Sequence, residues 1–155
     1  MKRTFLFLLA VVLLSYNSNA QTTNDLLQKN REYTGAKATQ KKYHAIYQLD
    51  ENDPKVIGKT IRNINNALND PRLKGKVQIE LVAFADGTDA YLIGSKYEED
   101  LQSLVEKGVI VAQCNNTLQE RKISRDKIYN FIAVVPSGNG ELIIRQAQGW
   151  SVIRP

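Results

Sequence analysis

Two apolar segments separated by one amphipathic helix stand out in residues 77–113, which read VQIELVAFADGTDAYLIGSKYEEDLQSLVEKGVIVAQ. The first segment, Val77–Ala85, is mostly apolar toward its end, and the last, Val109–Gln113, is a short apolar run. Such runs are typical of parallel strands that are buried on both faces. The segment between them, Tyr97–Lys107, has apolar residues at helical spacing, which are Leu101, Leu104 and Val105. The stretch therefore predicts a strand, a helix and a second strand.

The same alternation extends along the rest of the chain. Strands are also predicted at Tyr43–Asp50, Phe131–Val135 and Trp150–Ile153. Helices are predicted from Asp53-Pro54 to about Asn69 and at Glu141–Gln148, with shorter helical pieces at Asp89–Gly94, Asn115–Arg121 and Ser124–Ile128. Strands that alternate with helices favour a parallel sheet with right-handed crossovers and helices on both faces. Residues 43–155 are therefore predicted to form one α/β domain with five strands.

The N-terminus has the three parts of a secretory signal peptide. A basic start, Met1–Thr4, is followed by ten apolar residues, Phe5–Leu14, and then by small and polar residues that end at Ala20. Residues 1–20 are therefore predicted to be removed on export, to the periplasm or out of the cell. Residues 21–42 form a polar leader that is flexible or partly helical. No second membrane segment is predicted, so the exported chain is expected to leave the membrane.

Composition excludes several kinds of function. The chain has one Cys and one His, so it has no intrachain disulfide and no His/Cys zinc cluster. Removal of residues 1–20 lowers the formal charge from +5 to +3, because it takes away Lys2 and Arg3. This mild charge, without a basic stripe, disfavours nucleic acid as a partner. The glycines at 138 and 140 do not match a nucleotide-binding motif, and neither a cofactor nor a metal is predicted.

Candidate chemistry lies where the predicted strands end, because ligands of open α/β sheets bind at the carboxyl edge. Cys114 follows the third strand and precedes a short helix, so the amides of Asn116 and Thr117 can face its sulfur and favour a thiolate. The alternative is that Cys114 is a small buried core residue. The other candidate ligand-binding residues in these loops are Asn115, Asn116, Thr117, Asp86, Ser137 and Gly138. Asp86 precedes Gly87, and this pair is also a common turn.

The chain resembles the DsrE/DsrF-like family, in its YchN-like branch. The resemblance is carried by Ala112-Gln113-Cys114-Asn115-Asn116-Thr117-Leu118, by Val134-Val135-Pro136-Ser137-Gly138, by Gln148-Gly149-Trp150 and by Arg62-Asn63-Ile64. It implies a three-layer α/β/α fold with a five-stranded parallel sheet over residues 43–155, and a trimer or hexamer. It also implies that Cys114 occupies the position of a family cysteine that carries sulfur as a persulfide. Many relatives have a His in the second strand segment, where this chain has Phe84.

Two classes of function remain open. In the first, the protein is an exported sulfur-handling protein with sulfurtransferase-like activity, and Cys114 exchanges sulfur with a donor or acceptor protein. In the second, it is a non-catalytic oligomeric module that binds a small ligand, and Cys114 only lines the site. A homo-oligomer is expected in both cases, because apolar residues such as Tyr91, Leu92 and Ile93 extend beyond one helix face.

Overall fold

The computed structural model describes residues 23–155. The chain divides into two units between Lys37 and Ala38. Of the first unit, residues 23–37 are described, and residues 23–31 form helix α1 within the predicted leader. The predicted signal peptide, residues 1–20, lies outside the described residues. None of the helices in residues 23–155 has the length and apolar character needed to cross a membrane.

The second unit is built on a five-stranded sheet in which every pairing is parallel. The strands are β1 (Tyr43–Leu49), β2 (Val77–Ala83), β3 (Ile110–Cys114), β4 (Ala133–Val135) and β5 (Ser151–Ile153). Their order across the sheet is β4-β3-β2-β1-β5. This arrangement confirms the predicted α/β fold with a five-stranded parallel sheet.

Helices cover both faces of the sheet, and strand order decides which face each one takes. The helices are α2 (Pro54–Asn69), α3 (Glu98–Glu106), α4 (Asn115–Glu120) and α5 (Gly138–Ala147). From β1 to β4 the chain moves one strand at a time in one direction, so right-handed crossovers place α2, α3 and α4 on one face. The connection from β4 to β5 runs back across the whole sheet, so α5 lies on the opposite face.

The core follows this division. The larger cluster packs the sheet against α2 and α3 and includes Leu81, Leu104 and Tyr91. The smaller cluster lies beneath α5 and contains Ile46, Val82, Ala112 and Trp150, with Ile110, Val135 and Leu142 at its border. Side chains alternate along a strand, so Cys114 shares the α5 side of β3 with Ala112. Cys114 is therefore directed toward the start of α5.

Several predicted boundaries were wrong by a few residues, and each has a local cause. The predicted helix at Asp89–Gly94 is a 3-10 helix at Ala85–Tyr91, because the chain turns directly after β2 and the Gly87 N–H donates to the Phe84 carbonyl at 3.1 Å. The third strand extends to Cys114. Helix α5 begins at Gly138, three residues before the prediction, because Ser137 caps it by accepting from the Gly140 N–H at 3.1 Å.

The sequence predicted that Tyr91 extends the apolar surface, and this prediction was wrong. Its side chain is fully buried in the larger core, and its hydroxyl donates to the Leu81 carbonyl at 3.3 Å. Ile93 is exposed, as are Ile143 and Ile144 on α5. Some of the exposed apolar residues thus lie on α5, which the sequence analysis did not name as an apolar surface.

Candidate functional site

Cys114 lies at the junction of a strand and a helix at the carboxyl edge of the sheet. It is the last residue of β3, pairs with Val135 at the end of β4, and is the N-cap residue of α4. Its side chain is 5% exposed. The prediction that Cys114 precedes a short helix is confirmed, and the thiol is buried beneath the surface.

A cavity of about 340 Å³ opens above the sulfur. Its lining residues come from the end of β3, from the segments that follow β2 and β4, and from α4 and α5. They are Phe84, Ala85, Cys114, Asn116, Thr117, Glu120, Ser137 and Asn139. Of these described residues, Glu120 is the only side chain besides Cys114 that ionises. Polar groups thus surround a buried thiol, with one carboxylate at the exposed rim.

Groups at the start of two helices, α4 and α5, affect the pKa of the Cys114 thiol. The sulfur makes no regular capping bond to α4. Burial raises the pKa of the thiol, but the N–H groups of Gly138, Thr117 and Asn116 and the Thr117 hydroxyl outweigh it, so the pKa lies below the usual value. These donors stabilise the charged form of the group. The Asn116 and Thr117 amides were named from the sequence, whereas the Gly138 N–H was not.

No imidazole stands near the thiol to act as a base. The chain has one His, and His44 lies near the start of β1, whereas Cys114 lies at the carboxyl end of β3. Because the strands are parallel, these positions are at opposite edges of the sheet. The His44 ring instead lies against Trp150, with centroids 5.0 Å apart. The groups that lower the pKa of this thiol are therefore N–H and hydroxyl groups, with no imidazole among them.

Phe84 occupies the position where many relatives are expected to have His. Its ring packs against the first residue of α5, so closely that a Cβ atom added at Gly138 would lie 2.7 Å from Phe84 Cδ1. Glycine at 138 thus allows the start of α5 to approach both the ring and the Cys114 sulfur. Phe84 serves as an apolar wall of the site.

Thr117 connects the sulfur to the loop after β2. Its Oγ1 accepts a hydrogen bond from the Ala85 N–H at 3.1 Å. Ala85 has φ +47°, in the left-handed region that residues with a Cβ rarely adopt. This conformation costs about 1–2 kcal/mol. Contacts elsewhere must hold the loop in place.

Other predicted site residues are less directly involved. Ser137 and Gly138 lie at the site, but the Ser137 hydroxyl already caps α5. Asp86 is exposed in the 3-10 helix, and Asn115 faces a separate cavity beside Lys122. Neither of these two lines the cavity above the sulfur. Their roles in ligand binding stay predictions.

Glu120 was missed by the sequence analysis, although a signal for it exists. It lies four residues after Asn116, and residues at this spacing share one face of a helix. Phe84 was missed as a wall because the partner of its ring, Gly138, is distant in sequence. Within residues 23–155, no three or more His, Cys, Asp or Glu side chains form a group able to hold a metal ion.

The fold and the site define an α/β protein with a buried thiol at the carboxyl edge of a parallel sheet. The model of the DsrE/DsrF-like family matches residues 41–155, and the chain belongs to this family. The resemblance seen in the sequence is therefore confirmed. No curated protein matches the chain.

Solved structures share the fold. MTH1491, a protein of unknown function from Methanobacterium thermoautotrophicum, is 33% identical, with a TM-score of 0.69 over 73% of this chain and 99% of its own. BT1422, a conserved protein of unknown function from Bacteroides thetaiotaomicron, is 10% identical, with a TM-score of 0.61 over 78% of this chain and 100% of its own. The ychN protein from E. coli is 16% identical, with a TM-score of 0.58 over 75% of this chain and 100% of its own. The last two establish likeness of fold alone.

Proposed function

We propose that the protein handles sulfur through Cys114, which accepts a sulfur atom as a persulfide and passes it on. The observation that carries the proposal is the position of Cys114 at the N-cap of α4, where groups of Gly138, Asn116 and Thr117 lower the pKa of the thiol and so favour the thiolate. A thiolate is the nucleophilic form of cysteine. Membership of the DsrE/DsrF-like family, which is linked to sulfur relay, supports the same function.

The proposed step transfers one sulfur atom without net oxidation. The Cys114 thiolate attacks the outer sulfur of a donor persulfide, R–S–SH. A bond forms between Cys114 Sγ and that outer sulfur, while the sulfur–sulfur bond of the donor breaks and the donor leaves as the thiolate R–S⁻. The proton stays on the transferred sulfur, which gives Cys114–S–SH. The donors that hold the thiolate can also face the persulfide anion once this proton is lost.

A second function is favoured by one observation, the burial of the thiol. Cys114 is 5% exposed at the base of a cavity with polar walls from Asn116, Ser137 and Asn139. A small-ligand-binding module in which the sulfur only lines the site has this form. The two functions differ in whether Cys114 reacts in the folded protein.

Intact-mass analysis distinguishes the two functions. We expect folded protein treated with inorganic polysulfide to gain the mass of one sulfur atom, and a reductant to remove it. The Cys114→Ser variant, which keeps a small polar side chain at the position, should gain nothing. If the folded protein gains no sulfur and its thiol reacts only after unfolding, sulfur transfer is wrong and the binding module is favoured.

We also propose that the protein is exported and acts outside the cytoplasm. Support comes from the basic, apolar and small-residue parts of residues 1–20. N-terminal sequencing of protein recovered from outside the cytoplasm should begin at Gln21. Intact Met1 in that fraction would contradict cleavage.

We propose further that the protein is a homo-oligomer, a trimer or hexamer. Support comes from the family resemblance and from exposed Ile143 and Ile144 on α5, because large exposed apolar patches mark interaction surfaces. Light scattering at micromolar concentration should give a mass several times that of one chain. A monomer at this concentration would contradict the proposal. An oligomer whose mass is unchanged by Ile143→Ser would contradict the part assigned to α5.

A further inference from the structure

The Arg121 side chain bridges two parts of the loop that follows β2. Its Nη1 donates to the Ala85 carbonyl at 3.0 Å, and its Nη2 donates to Asp89 Oδ1 at 2.6 Å. Asn52 holds the other carboxylate oxygen, since its amide donates to Asp89 Oδ2 at 3.0 Å. One guanidinium therefore ties the end of α4 to the 3-10 helix.

Ala85 also contacts the site, through its backbone N–H. While the Ala85 carbonyl accepts from Arg121, the Ala85 N–H donates to Thr117 Oγ1 at 3.1 Å. A threonine hydroxyl has one hydrogen to donate. Because Oγ1 accepts from Ala85, that hydrogen is directed away from Ala85. The Thr117 hydroxyl lowers the pKa of the Cys114 thiol, which is the effect of a donor on the sulfur.

We propose that Arg121 is a positioning residue for Cys114: its guanidinium holds Ala85 in the left-handed conformation, and Ala85 in turn directs the Thr117 hydroxyl hydrogen to the sulfur. The proposal rests on Cys114 as the working group of the proposed function. Arg121 is not itself among the described residues that line the cavity. Its effect is transmitted through two hydrogen bonds.

The chemistry of the guanidinium makes this role specific to arginine. Two of its nitrogens donate in a fixed fork, one to a carbonyl and one to a carboxylate, whereas a lysine ammonium is a single point charge. Side chains of Arg121 and Asp89 are 33% and 34% exposed. At this exposure the ion pair alone contributes little, so its geometry, more than its charge, is expected to matter.

The test is the pKa of Cys114, which is followed by the ultraviolet absorbance of the thiolate across a pH series, with Cys114→Ser as the blank. This measurement needs neither a sulfur donor nor access of a reagent to the buried thiol. We expect Arg121→Gln and Arg121→Lys both to raise the pKa, by about half a unit. We expect Lys122→Gln, which removes the same charge one residue further along, to leave it unchanged.

A double variant separates positioning from a direct effect of charge. In a Thr117→Val background the hydroxyl is gone, so Arg121→Gln should cause no further rise in the pKa. If Arg121→Gln raises the pKa equally in that background, or if Arg121→Lys retains the original pKa, Arg121 acts by charge and the proposal is overturned. An unchanged pKa in Arg121→Gln overturns it as well. Persulfide formation is measured separately, so the effect of Arg121 on the pKa of Cys114 can be determined even if the protein does not transfer sulfur.

Discussion

The backbone N–H of Gly138 lowers the pKa of the Cys114 thiol, so the first residue of α5 contributes to a site that begins on β3. This effect exists because β4 pairs with β3 and brings Val135 beside Cys114. The turn after β4 then places the start of α5 over the end of β3. A donor from a distant segment thereby offsets part of the effect of burial on the thiol.

The first prediction concerns Gly138→Ala. The added Cβ would lie 2.7 Å from Phe84 Cδ1 and 3.1 Å from Phe84 Cβ, so the start of α5 or the ring must shift. We expect a loss of stability of about 1–3 kcal/mol from overpacking, and a higher pKa of Cys114 as the Gly138 N–H moves away. Denaturant unfolding and thiolate titration measure the two effects.

Two further variants test the cause. In Gly138→Ala combined with Phe84→Ala, the ring is absent and the pKa should return toward its original value. Gly58→Ala is the matched control, because a Cβ added at that position in α2 meets nothing within 4 Å. It should stabilise the protein by about 0.5–1 kcal/mol and leave the thiol unaffected. A Gly138→Ala protein with an unchanged pKa would show that the N–H is unimportant.

The second prediction concerns Thr117→Val, which keeps the shape of the side chain and removes the hydroxyl. The hydroxyl lowers the pKa of Cys114 and accepts from the Ala85 N–H. We expect the pKa to rise by about one unit, since a hydrogen bond to a charged group contributes about 1.5–3 kcal/mol and part of this is recovered by other donors. Thr117→Ser retains the hydroxyl and should keep the pKa. Equal pKa values for the Val and Ser variants would contradict the role of the hydroxyl.

The sequence predicted the fold because its apolar runs and helical periods are local signals. Apolar runs predict the strands that the structure has at Val77–Ala83 and Ile110–Cys114, and the helical period between them predicts α3. It also predicted the amides of Asn116 and Thr117, because they follow Cys114 directly in the chain. The start of α5 was misplaced because Gly138 and Gly140 have low helix propensity, and the cap from Ser137 overrides it.

The contacts that distinguish the site depend on strand order, which no local pattern encodes. The approach of Gly138 to Cys114 requires β4 to lie beside β3. The contact of Arg121 with Ala85 requires β2 to lie on the other side of β3. The alternation of elements is compatible with other orders of parallel strands. These interactions were therefore visible only in the three-dimensional structure.

The third prediction concerns Gly87→Ala. A Cβ at this position would lie 2.1 Å from the Leu49 carbonyl oxygen, which is a backbone atom and cannot rotate away. The loop after β2 must move, so we expect a loss of about 3 kcal/mol or more in the free energy of unfolding. Denaturant unfolding against Gly58→Ala checks this. A variant as stable as the original protein would mean that the loop is free to shift, which would also weaken the argument for a fixed Ala85.

The last prediction concerns Glu80, a buried carboxyl on β2 that pairs with Arg145 at 2.7 Å. Arg145 also contacts Glu141 at 2.9 Å and lies over the Trp150 ring at 4.2 Å. Burial raises the pKa of Glu80 above its usual 4.5 and Glu141 adds to the rise, which the attraction of Arg145 only partly offsets. The folded protein thus holds this proton more tightly than the unfolded chain does. The stability that Glu80 contributes is fully present below pH 4.5 and is lost as pH rises through the raised pKa.

Glu80→Gln removes this titration and keeps an oxygen that accepts from Arg145. The difference in unfolding free energy between Glu80→Gln and the original protein should therefore shift in favour of the variant as pH rises from 4.5 through the raised pKa, and then become constant. Denaturant unfolding over a pH series measures it. Asp70, Asp89 and Asp126 titrate in both proteins and cancel in the difference. Glu141→Gln is the control, because loss of the neighbouring charge should lower the pKa of Glu80 and narrow the pH range of the effect. A difference that is constant across the whole series would mean that Glu80 has the same pKa in the folded and unfolded chains.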